Sequence, residues 1–160
     1  MILVIGYGNP LRTDDGLGPC IAEIMEDRLK HEDVQVATAH QLTPEWVDSV
    51  SHASLVVFID ARIGDMPGRV MYEPVAPEMG QAFTHNVRPG TLLGAAHELY
   101  RATPDGLLIS IIGANFDYGS ALSDVLQHKL AEIANQVEAI IRSKANKYPK
   151  GNKAPYFTVS

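Results

Sequence analysis

Apolar positions along this chain alternate between two rhythms. Short apolar runs at residues 1–6, 55–59 and 107–112, the last interrupted by Ser110, read as buried strands. Residues 34–39 read as a further strand, and residues 69–74 alternate in the manner of a strand at or near an edge. Between these runs the apolar spacing lengthens to that of amphipathic helices. Residues 19–30 place Ile21, Ile24, Met25 and Leu29 on one face, with Pro19 in the first turn. Thr43 and Pro44 open a short helix as N-cap and first helical residue. Residues 91–101 put Leu92, Leu93, Ala96 and Leu99 on one face. Residues 122–143 form a long helix with Val125, Leu126, Leu130, Ile133, Val137, Ile140 and Ile141 facing inward. Residues 75–90, rich in Pro and Gly, read as an irregular loop.

Strands alternating with helices predict an α/β fold, a sandwich with a mostly parallel sheet of about five strands between helices. The 160 residues fit one domain, spanning residues 1–145, followed by a polar tail at 146–160. Lys144, Lys147, Lys150 and Lys153 in and beside that tail read as a solvated, frayed end. A net charge of −6 argues against a nucleic-acid partner, which favours a basic face. No run of apolar residues is long enough for a membrane span. One cysteine, Cys20, and no signal-like leader predict a reducing, cytoplasmic setting.

Candidate chemistry gathers where the buried strands end. The first strand runs into Gly6-Tyr-Gly-Asn-Pro-Leu-Arg-Thr-Asp-Asp-Gly16, so Asp14 and Asp15 arrive at the carboxyl edge of the sheet just before a helix. One acid is expected to cap that helix and the other to project into a cleft. The Gly6-x-Gly8 turn lacks the third glycine of a dinucleotide fingerprint, Leu11 standing there instead, and the two acids oppose a pyrophosphate. Asp60 ends the strongest buried strand, where an acid is costly unless solvated, paired or ligating. His85 lies in the long loop, and His40 ends the second strand. Two carboxylates and an imidazole make a nitrogen–oxygen donor set for a divalent transition metal. Cys20, in a first helical turn without a nearby histidine, reads as a small buried hydrophobe rather than a nucleophile.

The stretch Gly6-Tyr-Gly-Asn-Pro-Leu-Arg-Thr-Asp-Asp-Gly-Leu-Gly18 resembles the N-terminal motif of the endopeptidases that mature nickel–iron hydrogenases, Gly-x-Gly-Asn-x-Leu-x-x-Asp-[Asp/Glu]-Gly-x-Gly. Phe58-Ile-Asp60 resembles that family's second motif, and His85, ahead of a Pro-Gly and helical segment, its third. The likeness runs from Met1 to about Ile141. It implies a twisted, mostly parallel sheet between helices. It also implies removal of a C-terminal extension from a hydrogenase large-subunit precursor after nickel has been installed. Family metal contacts, also implicated in catalysis, carry over to Asp15, Asp60 and His85, leaving Asp14 a structural role. The nickel is expected to be carried by the substrate, other divalent metals being able to occupy the same donors. Members of the family often have an Asp-Gly-Gly-Thr turn after the second strand. Here Thr38-Ala-His-Gln-Leu-Thr-Pro44 stands in its place, which makes His40 a further cleft candidate.

Two other readings share these residues. A peptidyl-tRNA hydrolase-like esterase also begins with a strand running into Gly-x-Gly-Asn-Pro, but it calls for a basic groove and a histidine soon after the turn. A non-catalytic, nickel-dependent maturation chaperone would use the same donors without cutting the chain.

Overall fold

The computed structural model describes residues 1–80 and 86–148. Strands β1 (Ile2–Tyr7), β2 (Val34–Ala39), β3 (Leu55–Ile63), β4 (Val70–Val75) and β5 (Asp105–Gly113) form one sheet in the order β2-β1-β3-β5-β4. All neighbouring pairs are parallel except β4–β5. The expected mostly parallel α/β sandwich is therefore present.

Period-two alternation in the central strands builds both cores. Ile2, Val4, Leu55, Val57 and Ile59 point to one side and pack against helices α1 (Leu17–Arg28) and α4 (Asp124–Ala145). Leu3, Ile5, Val56 and Phe58 point to the other side, toward α2 (Trp46–Ser51) and α3 (Pro89–Tyr100). Both faces being covered is why β1 and β3 read as continuous apolar runs rather than as alternating ones.

Several elements depart from the sequence reading. The short second helix starts at Trp46, with Glu45 rather than Thr43 at its N-cap, because residues 43–45 are spent on a turn whose carbonyls accept from Trp46 and Val47. Strand β3 runs four residues past its apolar core, because pairing with β5 continues to Ile63↔Gly113. Leu99 is exposed. Helix α3 is buried from Gly90 to Ala96 and then emerges from the core. Val125 is also exposed, since the buried seam of α4 follows Leu126, Ile133, Ala134, Val137 and Ile141. Lys144 lies over the Tyr72 ring at 5.5 Å rather than standing free. Tyr148 packs against the first core, its hydroxyl donating to Asp105. Residues 149–160, including Lys150 and Lys153, lie outside the described residues.

Chain order fixes where a site can form. From β1 the chain moves outward to β2, then crosses back to β3 on the opposite side of β1. The order reverses between β1 and β3, and the carboxyl ends of two such strands leave a crevice. Tyr7 and the following loop end β1, and Asp60 lies toward the end of β3.

Candidate functional site

The β1–α1 loop is shaped by close backbone approach. A Cβ on Gly6 would lie 2.2 Å from the Gly18 carbonyl oxygen, and one on Gly18 would lie 2.6 Å from that of Ile59. The start of α1 thus presses directly on the ends of β1 and β3. Gly8 takes φ +148°, and a Cβ there would lie 2.0 Å from the Asp15 carbonyl oxygen. These glycines bring one backbone against another.

Within this loop the two adjacent acids are separated by environment. Asp14 is fully buried in a short 3₁₀ turn, Thr13–Gly16. Its carboxylate accepts from the backbone N–H groups of Ala114, Asn115 and Ser123 and from Ser123 Oγ, at 2.7–2.9 Å. Burial works to raise its pKa, but these donors outweigh it and hold the carboxyl below its ordinary range. The expectation that one acid caps α1 is not met: no side chain caps α1, and Ser123, at the N-cap of α4, turns its hydroxyl to Asp14. Asp14 instead ties the β1–α1 loop to the β5–α4 loop. Thr13 strengthens the tie, with its hydroxyl donating to the Asp117 carbonyl and its N–H to that of Gly119. It takes φ +51°, an uncommon conformation for a β-branched residue, which the neighbouring hydrogen bonds maintain.

Asp15 faces the other way. Its Oδ2 accepts from the Asn9 N–H at 2.7 Å, and Asn9 Oδ1 in turn accepts from the Leu11 N–H at 2.9 Å. Asp15 lines a cleft of about 550 Å³ at the β1/β3 crevice, together with Tyr7, Gly8, His40 and Asp60. Burial pushes the Asp60 carboxyl up to about 6. The Tyr7 hydroxyl and the Ala61 N–H, donating to it, pull the other way, while the charge of Asp15 adds to the rise. Burial, and the proximity of Asp60 and Asp15, raise the Tyr7 phenol well above its ordinary value, so Tyr7 remains a proton donor to Asp60 at any working pH.

The structure therefore brings Asp15, Asp60 and His40 into one cleft. His85 lies outside the described residues. The described chain leaves at Gly80, whose N–H donates to Glu98 on α3, and resumes at Asn86, which lines the cleft with Val87, Arg88 and Pro89. Cys20 is half-buried and does not line this cleft. Burial and Glu23 push its thiol up, away from thiolate character. Tyr7 was missed in the sequence reading. Its signal was a single aromatic between the two glycines that end β1, a polar tip on an otherwise buried strand.

No protein-family model matches the chain, and no curated protein matches it. Solved structures do. The NiFe hydrogenase maturation protease HycI from Thermococcus kodakarensis KOD1 superposes with a TM-score of 0.69 at 23% identity, covering 88% of this chain and 92% of that one. The fold is that of the hydrogenase maturation proteases. The maturating endopeptidase HybD from Escherichia coli matches with a TM-score of 0.64 at 22% identity, over 89% of this chain and 93% of its own. An endopeptidase from the same organism, solved in solution, gives 0.66 at 19% identity, over 89% and 93%. The architecture implied by the motif at residues 6–18 is thus found in proteases of that description.

Proposed function

We propose that this protein is an endopeptidase that removes a C-terminal extension from the nickel-loaded large subunit of a nickel–iron hydrogenase. The observation that carries this reading is the pairing of Asp15 and Asp60 in one cleft at the strand-order reversal of this fold. An N-terminal loop anchored by Asp14 leaves Asp15 free to act, and Tyr7 orients Asp60. With His85 the two acids supply oxygen, oxygen and nitrogen donors, a set suited to a divalent transition metal. The nickel belongs to the substrate, and these donors complete its coordination, so docking depends on a loaded substrate. Bound there, the nickel supplies a fixed point that positions the adjoining peptide. Asp15 and Asp60 bind as carboxylates and His85 as neutral imidazole. Among the described residues no helix is long and apolar enough to cross a membrane, and we place the protein in the cytoplasm with its substrate.

The test is direct. Incubating the protein with nickel-loaded large-subunit precursor and following its mass gives loss of a C-terminal peptide that requires nickel, Asp15 and His85. Stable binding with no mass change overturns the peptidase reading in favour of a chaperone.

A further inference from the structure

Strand β2 forms one edge of the sheet, paired with β1 alone among the described strands. Ile2 donates its N–H to the Asp33 carbonyl, and Gly8 donates to that of Ala39. In a parallel ladder successive residues face opposite neighbours. Residues 33, 35, 37 and 39 therefore face β1, while Val34, Val36 and Thr38 turn their N–H and C=O groups outward. Such a row is a template for another chain, and edge strands are ordinarily blunted by charge, proline or a bulge. The opposite edge, β4, carries Glu73 and Pro74. Strand β2, Val-Gln-Val-Ala-Thr-Ala, has no charge and no proline, and its register against β1 is unbroken.

The open edge leads to the site. Its last residue, Ala39, is followed by His40, which lines the cleft beside Asp15. Along its carboxyl half lies a second depression of about 460 Å³, between Thr38, Ala39 and His40 on one side and Pro19, Cys20 and Glu23 of α1 on the other. Thr38 shares its strand face with Val34 and Val36, which pack toward α1. A chain laid against β2 would thus find backbone partners at its edge, a recess for one side chain on its α1 face, and the cleft at its end. Unpaired amides and carbonyls in register call for an extended polypeptide, and the cleft acts on one.

We infer that β2 is the substrate-docking strand: an extended segment of the large-subunit precursor adds beside it as a sixth strand and delivers the chain to the cleft. This rests on the peptidase reading above. Main-chain pairing supplies affinity, and the recess beside Cys20 supplies selectivity for one side chain.

Val36→Pro tests it. Proline at this position removes an outward N–H and projects a ring from the edge, while the β1 ladder keeps its bonds. The expected result is a KM for nickel-loaded precursor raised tenfold or more, with kcat within twofold of wild type and an unchanged circular dichroism spectrum. A second measurement needs no variant. With saturating nickel-loaded precursor, a deuterium pulse shorter than one turnover labels the wild-type segment 33–40 less than in the free protein, the loss falling on Val34, Val36 and Thr38. Cleavage with no such protection, or a folded Val36→Pro protein with wild-type KM, overturns strand addition and leaves the peptidase reading standing. If the free protein is already protected at these amides and sediments as a dimer, the edge is filled by a second copy and the inference is wrong. A wild-type protein that neither binds nor cuts the precursor overturns the peptidase reading, and this inference falls with it.

Discussion

Asp14 and Asp15 are neighbours in sequence and opposites in role. Asp14 spends its carboxylate on donors from the β5–α4 loop; Asp15 keeps an oxygen for the cleft. Asp14→Asn places an amide NH₂ against N–H groups that already donate, and it is expected to cost about 3 kcal/mol in urea unfolding. Asp15→Asn is expected to leave stability within about 0.5 kcal/mol and to abolish processing. The pH dependence follows from sign. The pKa of Asp14 is depressed in the fold, so its contribution is present above its unfolded value near 3.8 and is lost as pH falls through the lower folded value. The stability gap between wild type and Asp14→Asn should therefore close in acid. Asp60 is the reverse. Its folded pKa is raised to about 6, so ionisation opposes folding as pH rises from 3.8 toward 6, while on the proposed function precursor binding needs the ionised form. Processing should fall as pH drops through about 6. Removing the Tyr7 hydroxyl as Tyr7→Phe takes away a bond that favours the charged form, so the midpoint should move to higher pH. A pH–rate profile of precursor cleavage, or carboxyl-carbon titration of Asp60 by NMR, reads the shift.

At the scale of elements, the central strands were legible because both their faces are buried. Apolar runs alone marked β1, β3 and β5, and Phe58 at the centre of β3 is completely buried among α2 and α3. Phe58→Ala is expected to destabilise the protein by about 3–5 kcal/mol, measured by denaturant midpoint at constant m-value. What local patterning could not reveal were features decided by partners distant in sequence. The extension of β3 through Ala61, Arg62 and Ile63 exists because β5 offers matching backbone groups, although the apolar run has ended. Leu99 has the spacing of a core residue, yet α3 has left the core by then. The site divides along the same line. Asp15 and Asp60 were marked as strand-end acids. The bonds that set Asp14 apart come from residues about a hundred positions away and carry no local signature. Tyr7 acts through a hydroxyl whose partner, Asp60, lies on another strand.

Over the whole molecule, order and chemistry coincide. The two central strands β1 and β3 form the floor, and the reversal of strand order between them opens the crevice that both acids line. One edge of the sheet is guarded by Glu73 and Pro74; the other, unpaired among the described residues, runs into that crevice. The net charge is −6, and the acids in the cleft place part of that charge where a cation-bearing substrate would meet it.

The Asp14 clasp also has a consequence in time. Its four bonds join residue 14 to residues 114, 115 and 123. Loop closure over so long a span is entropically expensive and comes late in folding. A nascent chain that has emerged only through β4 lacks the partners that hold the loop bearing Asp15. On the proposed peptidase reading, competence to cut is therefore withheld until β5 and the start of α4 have been made and docked.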